Sequence, residues 1–420
     1  MISYVLVARH PPQMSINDTT QVMAGYKLHE ESASPVGNRL AGSFYFFYYA
    51  AMAALSPFLV LHYEQLGLDG RQIGLLAGIP PALILLGATG WGALADASQQ
   101  HRAVLAVAIA GTIVAVAALS VAQTFSWLIA IVIFMALMQS PITPLVDNSV
   151  LHALGEHRDR YGRIRIWGAI GWGACGPIAG HLVERFGLSA SFSTYLALFA
   201  ICFFIALFLP IAHVRVPAFW SGLRALVGDR RWRLFLFLAF ASGVGLSVVH
   251  YYLFLYLKGI GTPRWMMGYA LTIGTLSEML VFFYGERLLR RFGRRRLLVL
   301  SMAAGVVRVA AYSFIDTPVM ALSVQILHGP TFALLWVVGV SYAHVLAPPG
   351  LGATAQGQFV GVNFGIGGAV GAIVGGSVFE HFGLAIMYRG AAIWLIVGLV
   401  TYLLAYRLMI SPSKLSEPTM

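Results

Sequence analysis

The chain has 420 residues, 59% of them hydrophobic and only 10% charged, with a formal net charge of +11. An ordinary soluble domain is about 25% charged, so this composition excludes a soluble globular protein. The basic residues are split among separate short loops, which excludes a nucleic-acid surface. No nucleotide loop, metal-ligand cluster or nucleophile triad stands out, so neither an enzyme nor a metal or cofactor site is expected.

Residues 1–38 lack an apolar run long enough for a signal-peptide core and read as a disordered cytoplasmic tail. Beyond them, apolar residues run in blocks of roughly 20, the length of a helix spanning about 30 Å of hydrocarbon. Twelve blocks lie near 40–62, 72–94, 103–122, 126–150, 164–183, 190–211, 233–257, 267–288, 297–315, 318–345, 357–379 and 385–408. The expected fold is an all-α membrane protein with twelve transmembrane helices. They would form two pseudo-symmetric six-helix bundles over 39–211 and 233–408, with a cytoplasmic linker at 212–232 and a tail at 409–420. With both termini cytoplasmic, the inner side carries 21 Lys and Arg residues and the outer side 5, and Arg308 is left in the membrane. That asymmetry follows the positive-inside rule, places the chain as a multi-pass protein of the cell (inner) membrane, and explains the net charge as contact with anionic headgroups of the bilayer.

Candidate functional residues follow in chain order. The first block carries Tyr45, Tyr48 and Tyr49, and the seventh carries His250, Tyr251, Tyr252 and Tyr256. Tyrosine offers an apolar ring with a hydroxyl handle, which suits a small aromatic or sugar-like ligand. Tyr48, Tyr49, His250 and Tyr252 are the candidates for substrate contact, whereas Tyr45 and Tyr256 also fit an interfacial belt. After the second block, GWGALADASQQHR (90–102) places Asp96 and Arg102 at a cytoplasmic turn, where a carboxylate can latch the two bundles together. Asp147 lies near the cytoplasmic end of the fourth block, and Arg163 and Arg165 open the fifth. An Asp–Arg pair facing a cavity can orient a hydroxyl- or carboxylate-bearing ligand, while an interfacial salt bridge is the plainer alternative.

The fifth block ends GHLVERFG and the eleventh GSVFEHFG, so Gly180, Glu184, Phe186 and Gly187 recur 196 positions later. Both blocks are rich in glycine, which lets helix backbones approach closely in lipid. Cys175 and Cys202 fall inside apolar blocks and read as small core residues rather than a disulfide.

Three ionisable residues interrupt successive blocks of the second half: Glu278, Arg308 and His328. A charge near the bilayer centre costs about 2.5–3.5 kcal/mol on insertion scales, so three together suggest a polar pathway. Arg308 cannot lose its proton, and Glu278 is the nearest acid on an adjacent block. A carboxyl that cycles beside a cation, with a histidine that titrates near neutrality, is equipment for proton coupling.

Several stretches carry a specific resemblance: GWGALAD after the second block, SPITPLVDNSV (140–150), YGRIRIWGAIG (161–171), MGYALTIGTLSEMLVF (267–282), GVVRVAAY (305–312) and QILHGPTF (325–332). Together they resemble the major facilitator superfamily, and within it the phenylpropionate permease branch, related to lactose permease and nucleoside–proton symporters. Gly92, Leu94, Asp96 and Arg102 fit the superfamily loop motif, with Ala97 where a basic residue is usual. The resemblance implies that Asp147 and Arg165 grip substrate. It also implies a glutamate three residues after His328, where this chain has Thr331. The expectation is a monomeric symporter moving protons with a small-molecule substrate, an aromatic carboxylic acid being favoured. A facilitator or exporter of sugars, nucleosides or amphiphilic compounds stays open, as does a transporter-like sensor.

Overall fold

The computed structural model describes residues 35–209, 226, 228–347 and 351–410, and among these every regular element is helical. The expectations for 1–34, for most of the 212–232 linker and for 411–420 lie outside the described residues. The first half comprises α1 (Pro35–Gln65), α2 (Gly70–Ser98), α3 (His101–Val121), α4 (Phe125–Gln139), α5 (Ile142–Leu154), α6 (Tyr161–Phe186) and α7 (Ser189–Phe208). The second comprises α8 (Arg230–Gly259), α9 (Arg264–Phe292), α10 (Arg294–Ala311), α11 (Pro318–Val324), α12 (Leu334–Leu346), α13 (Gly352–Val360) and α14 (Gly368–Ile410). Where the blocks fall on described residues the backbone is largely helical, and nine of the described helical runs are long and apolar enough to cross a bilayer. The glycine-rich α6 and the arginine-bearing α10 are not among those nine, and Thr354–Leu408 counts as one run.

Local chemistry sets the boundaries. Asp69 caps α2 by a reciprocal box with Gln72, and Asp229 caps α8 through the N–H groups of Arg231 and Trp232. Gly383 divides α14 with φ 80° and ψ 170°, a left-handed conformation that glycine adopts without a Cβ penalty. Gly187, 196 residues earlier, ends α6 with φ 82° and ψ 178°. Two short π-helical stretches, Gly329–Ala333 and Gly361–Gly367, interrupt the helices of the second half. Both cysteines are buried and free.

The halves meet chiefly through α1 on α8, α2 on α14 and α6 on α9. Glycine permits this approach: a Cβ on Gly376 would lie 2.2 Å from the Gly70 carbonyl oxygen, and one on Gly268 would lie 2.2 Å from that of Gly176. Bonds between the halves cluster at the same end of the molecule. Lys258 Nζ donates to Glu64 at 2.7 Å, the Arg264 N–H donates to Glu184 at 2.7 Å, and the Gly70 N–H donates to Glu380 at 2.5 Å. Glu184 and Glu380 are the repeat-related pair, and each caps the first turn of a helix in the opposite half. Even Phe186 and Phe382 match, at 61% and 63% exposed on the apolar surface. Deeper in, Thr272 donates to the Gly173 carbonyl at 2.7 Å.

Candidate functional site

Past the Gly173–Thr272 contact, the interior holds polar side chains that reach solvent. His250 is exposed although Val248, Val249 and Tyr252 around it on α8 are buried. It lies within electrostatic range of His328 and Arg308, so its exposure is to an interior space rather than to lipid. Arg165, Asp147, Glu278 and His328 keep 31%, 28%, 20% and 28% of their side-chain surface accessible. These residues, contributed by both halves, define the candidate site.

On the first half, α1, α5 and α6 build a compact unit. The Tyr45 hydroxyl donates to Asp147 at 2.5 Å, and the Arg165 Nε lies 3.8 Å from the same carboxylate oxygen. Arg165 also donates to the Tyr49 hydroxyl, and its guanidinium sits 4.9 Å and 4.4 Å from the Tyr45 and Tyr49 ring centroids. Tyr45 and Tyr49 are one helical turn apart, so both can face one cation. Gly168 makes room: a Cβ there would lie 2.7 Å from the Tyr49 ring and 2.9 Å from Arg165. Tyr161 lies beside Asp147 as well. The expected Asp147–Arg165 pair therefore forms, with tyrosines on the guanidinium face.

The second half is wired differently from the sequence expectation. Glu278 does not meet Arg308; its carboxylate lies 3.6 Å from His328 Nε2. Arg308, 5% exposed, donates instead to Thr331 Oγ1 and Gln325 Oε1, each at 2.9 Å, and Gln325 in turn donates to the Tyr312 hydroxyl at 2.9 Å. Its Nε is buried without a hydrogen-bond partner. Arg308 is a permanent cation held by neutral groups, within electrostatic range of His328. The reason is register: a 3₁₀ turn (Gln325–Leu327) followed by the π stretch turns Gln325 and Thr331 toward α10 and His328 toward α9.

The remaining candidates lie elsewhere. Tyr48 is buried, stacked on Phe44 and packed against Phe199. Tyr252 is fully buried, its hydroxyl donating to the Ala372 carbonyl at 2.6 Å, so it serves packing near the closed end. Asp96 meets His101 at 3.1 Å and Arg102 donates to the Leu209 carbonyl at 3.2 Å, contacts that lie within the first half rather than across it. The sequence reading sets Tyr45 aside as an interfacial-belt residue and assigns no role to Thr331, Gln325 or Tyr312. Tyr45 was discoverable by its four-residue spacing from Tyr49; the uncharged three carry no comparable signal. No group of three or more potential metal ligands occurs among the described residues.

The model of the MFS_1 like family matches residues 39–390. The maltose permease of Geobacillus stearothermophilus is 26% identical over 365 residues, 86% of this chain and 92% of that protein. The probable 3-phenylpropionic acid transporter of Escherichia coli K12 is 26% identical over 307 residues, 71% of this chain and 80% of that protein. Among solved structures, the nucleoside transporter NupG superposes with a TM-score of 0.76 at 20% identity, covering 88% of this chain and 99% of that one.

Proposed function

This chain belongs to the MFS_1 like family of membrane transporters, and from that premise we propose that it carries a small organic solute together with protons by alternating access. It is a multi-pass membrane protein and not an enzyme. In the proposed arrangement twelve helices cross the cell (inner) membrane as a monomer, with both termini cytoplasmic. The bonded end at Glu64, Glu184 and Glu380 is then the outer gate, shut, and the interior opens inward.

The observation that carries the coupling is the Glu278–His328 pair, 3.6 Å apart and part-exposed, beside the fixed charge of Arg308. A proton arriving from the cavity can pass between carboxylate and imidazole, because the two groups are neighbours and both reach solvent. Arg308 cannot carry that proton, and its role is to bias where the proton rests. Asp147 and Arg165 supply the substrate grip: the guanidinium can trade Asp147 for an incoming carboxylate while the tyrosines keep its plane oriented. An aromatic carboxylic acid suits this site, and the relative named as a 3-phenylpropionic acid transporter supports the same class.

One observation favours the alternative, a facilitator or exporter of sugars or nucleosides. Two Arg308 nitrogens are already satisfied by Thr331 and Gln325, so that charge need not move during a cycle. Reconstituted vesicles decide between the readings. Under an inward proton gradient, the parent should accumulate 3-phenylpropionate, and Glu278→Gln should abolish accumulation while sparing exchange of internal for external solute. Accumulation that survives in Glu278→Gln would reject the coupling.

A further inference from the structure

From His328 of the Glu278–His328 pair rises a ladder of aromatic side chains that none of the functional assignments above uses. His328 and Phe332 stack with centroids 5.3 Å apart and planes 9° apart; Phe332 and Trp336 follow at 6.4 Å and 25°. These rings recur every four residues, so they form one stripe along the helix. Ile326, on the opposite face, is 60% exposed on the apolar surface, which turns the stripe away from lipid. Phe364 closes the side at 5.8 Å from Phe332 and 5.7 Å from Trp336. Behind them, fully buried Phe359 packs 6.2 Å from Trp336 and fills the space left by Gly339.

The backbone is built to hold these rings together. Phe332 lies in one π-helical stretch and Phe364 in the other, and such single-turn insertions concentrate at functional sites because they re-aim side chains. Gly329 pins the first stretch: its N–H donates to Ser277 Oγ at 3.1 Å, and a Cβ there would lie 2.3 Å from the Ser277 carbonyl oxygen. The residue after Ser277 is Glu278, so the same contact sets the acid beside the foot of the ladder. Phe332, Trp336 and Phe364 are all half-buried, leaving edges and faces accessible; His250, itself exposed, lies within electrostatic range of His328 at the foot of the ladder.

We infer that Phe332, Trp336 and Phe364 form the subsite for a planar aromatic ring of the transported solute, whose polar group faces His250 and His328. The inference rests on the transport reading above and adds the residues that select the ring. Stacked or edge-on rings 4.5–7 Å apart gain free energy beyond area burial, and an aliphatic ring of equal size does not.

The test reads binding without a proton gradient, so a failure of coupling leaves it intact. Purified protein is titrated with 3-phenylpropionate, 3-cyclohexylpropionate, uridine and maltose, following tryptophan fluorescence and, for every variant, calorimetry. Phe332→Leu and Trp336→Leu should weaken binding of the aromatic probes about threefold to tenfold each, with 3-cyclohexylpropionate affected less than twofold. Trp336→Phe keeps a ring and should bind like the parent, which guards against a folding artefact. Equal affinity of parent and both leucine variants for every aromatic probe overturns the inference. So does a parent that binds only maltose or 3-cyclohexylpropionate, or no aromatic probe at all.

Discussion

Glu184 and Glu380 stand 196 residues apart in the chain, and each accepts the first N–H of a helix in the opposite half. Asp147 and Glu278, the acids of the two interiors, show no such correspondence: one joins an arginine and a tyrosine, the other a histidine. The halves thus match where they touch each other and differ where they face the cavity. Matching contacts suit a seam on which two bodies rock, since each side must release and reform equivalent bonds. Unlike interiors suit the division of labour proposed above, a fixed grip on one side and an exchangeable proton on the other.

The largest expected effect lies in the second interior. Arg308→Ala should reduce proton-driven accumulation to background in vesicles, because it removes two charge-assisted hydrogen bonds worth about 1.5–3 kcal/mol each. Arg308→Lys should recover only a fraction, since one ammonium cannot reproduce the fork to Thr331 and Gln325. Glu278→Gln added to Arg308→Ala should leave the melting temperature where the single Arg308 change put it. A restored melting temperature would mean that the two charges pair after all and would blur the contrast between the interiors.

Gly376→Ala tests the seam. Its new methyl would press on the Gly70 carbonyl, and overpacking of this kind costs about 1–3 kcal/mol. The bonded end should open more often, seen as faster maleimide labelling of a cysteine placed at buried Thr262. Gly268→Ala, pressed against the Gly176 carbonyl, should do the same to a similar extent. Unequal effects would break the equivalence of the two contacts.

Arg165→Lys sharpens the contrast from the other interior. The charge survives but its stacking on Tyr45 and Tyr49 does not, so 3-phenylpropionate affinity should fall about tenfold by calorimetry. A lysine variant that binds like the parent would reduce the unit to a salt bridge.

The smallest effects belong to the helix caps. Glu184→Gln and Glu380→Gln should each raise Thr262→Cys labelling only a few-fold, because exchanging a carboxylate for an amide at a helix N-terminus loses about 0.3–1 kcal/mol. Their effects should be equal and should add. If only one of them matters, the symmetry is in the sequence but not in the energetics.

Much of this is legible in the amino-acid sequence. Charges inside apolar blocks are conspicuous, so Asp147, Arg165, Glu278, Arg308 and His328 stood out, and the structure gathers all five in the interior. Thr331 and Gln325 did not, because uncharged polar residues are tolerated in membrane helices and mark nothing by themselves. Tyr48 and Tyr49 looked equivalent as neighbours, yet about 100° of helical rotation sends one into the core and the other onto Arg165.

Lipid imposes its demands on composition directly. An apolar stretch must run long enough to span, backbone groups must bond within it, and loops must sort their cations, so helicity and the repeat could be read from residue types alone. Close approach of helices likewise demands glycine, which made Gly180 and Gly376 visible as a pair. Which polar atom meets which was decided only in the tertiary structure. Rotation of each helix about its axis, shifted further by the π stretches at 329–333 and 361–367, selects the facing partner. That is why Glu278 found His328, and why Arg308 was left to a threonine and a glutamine.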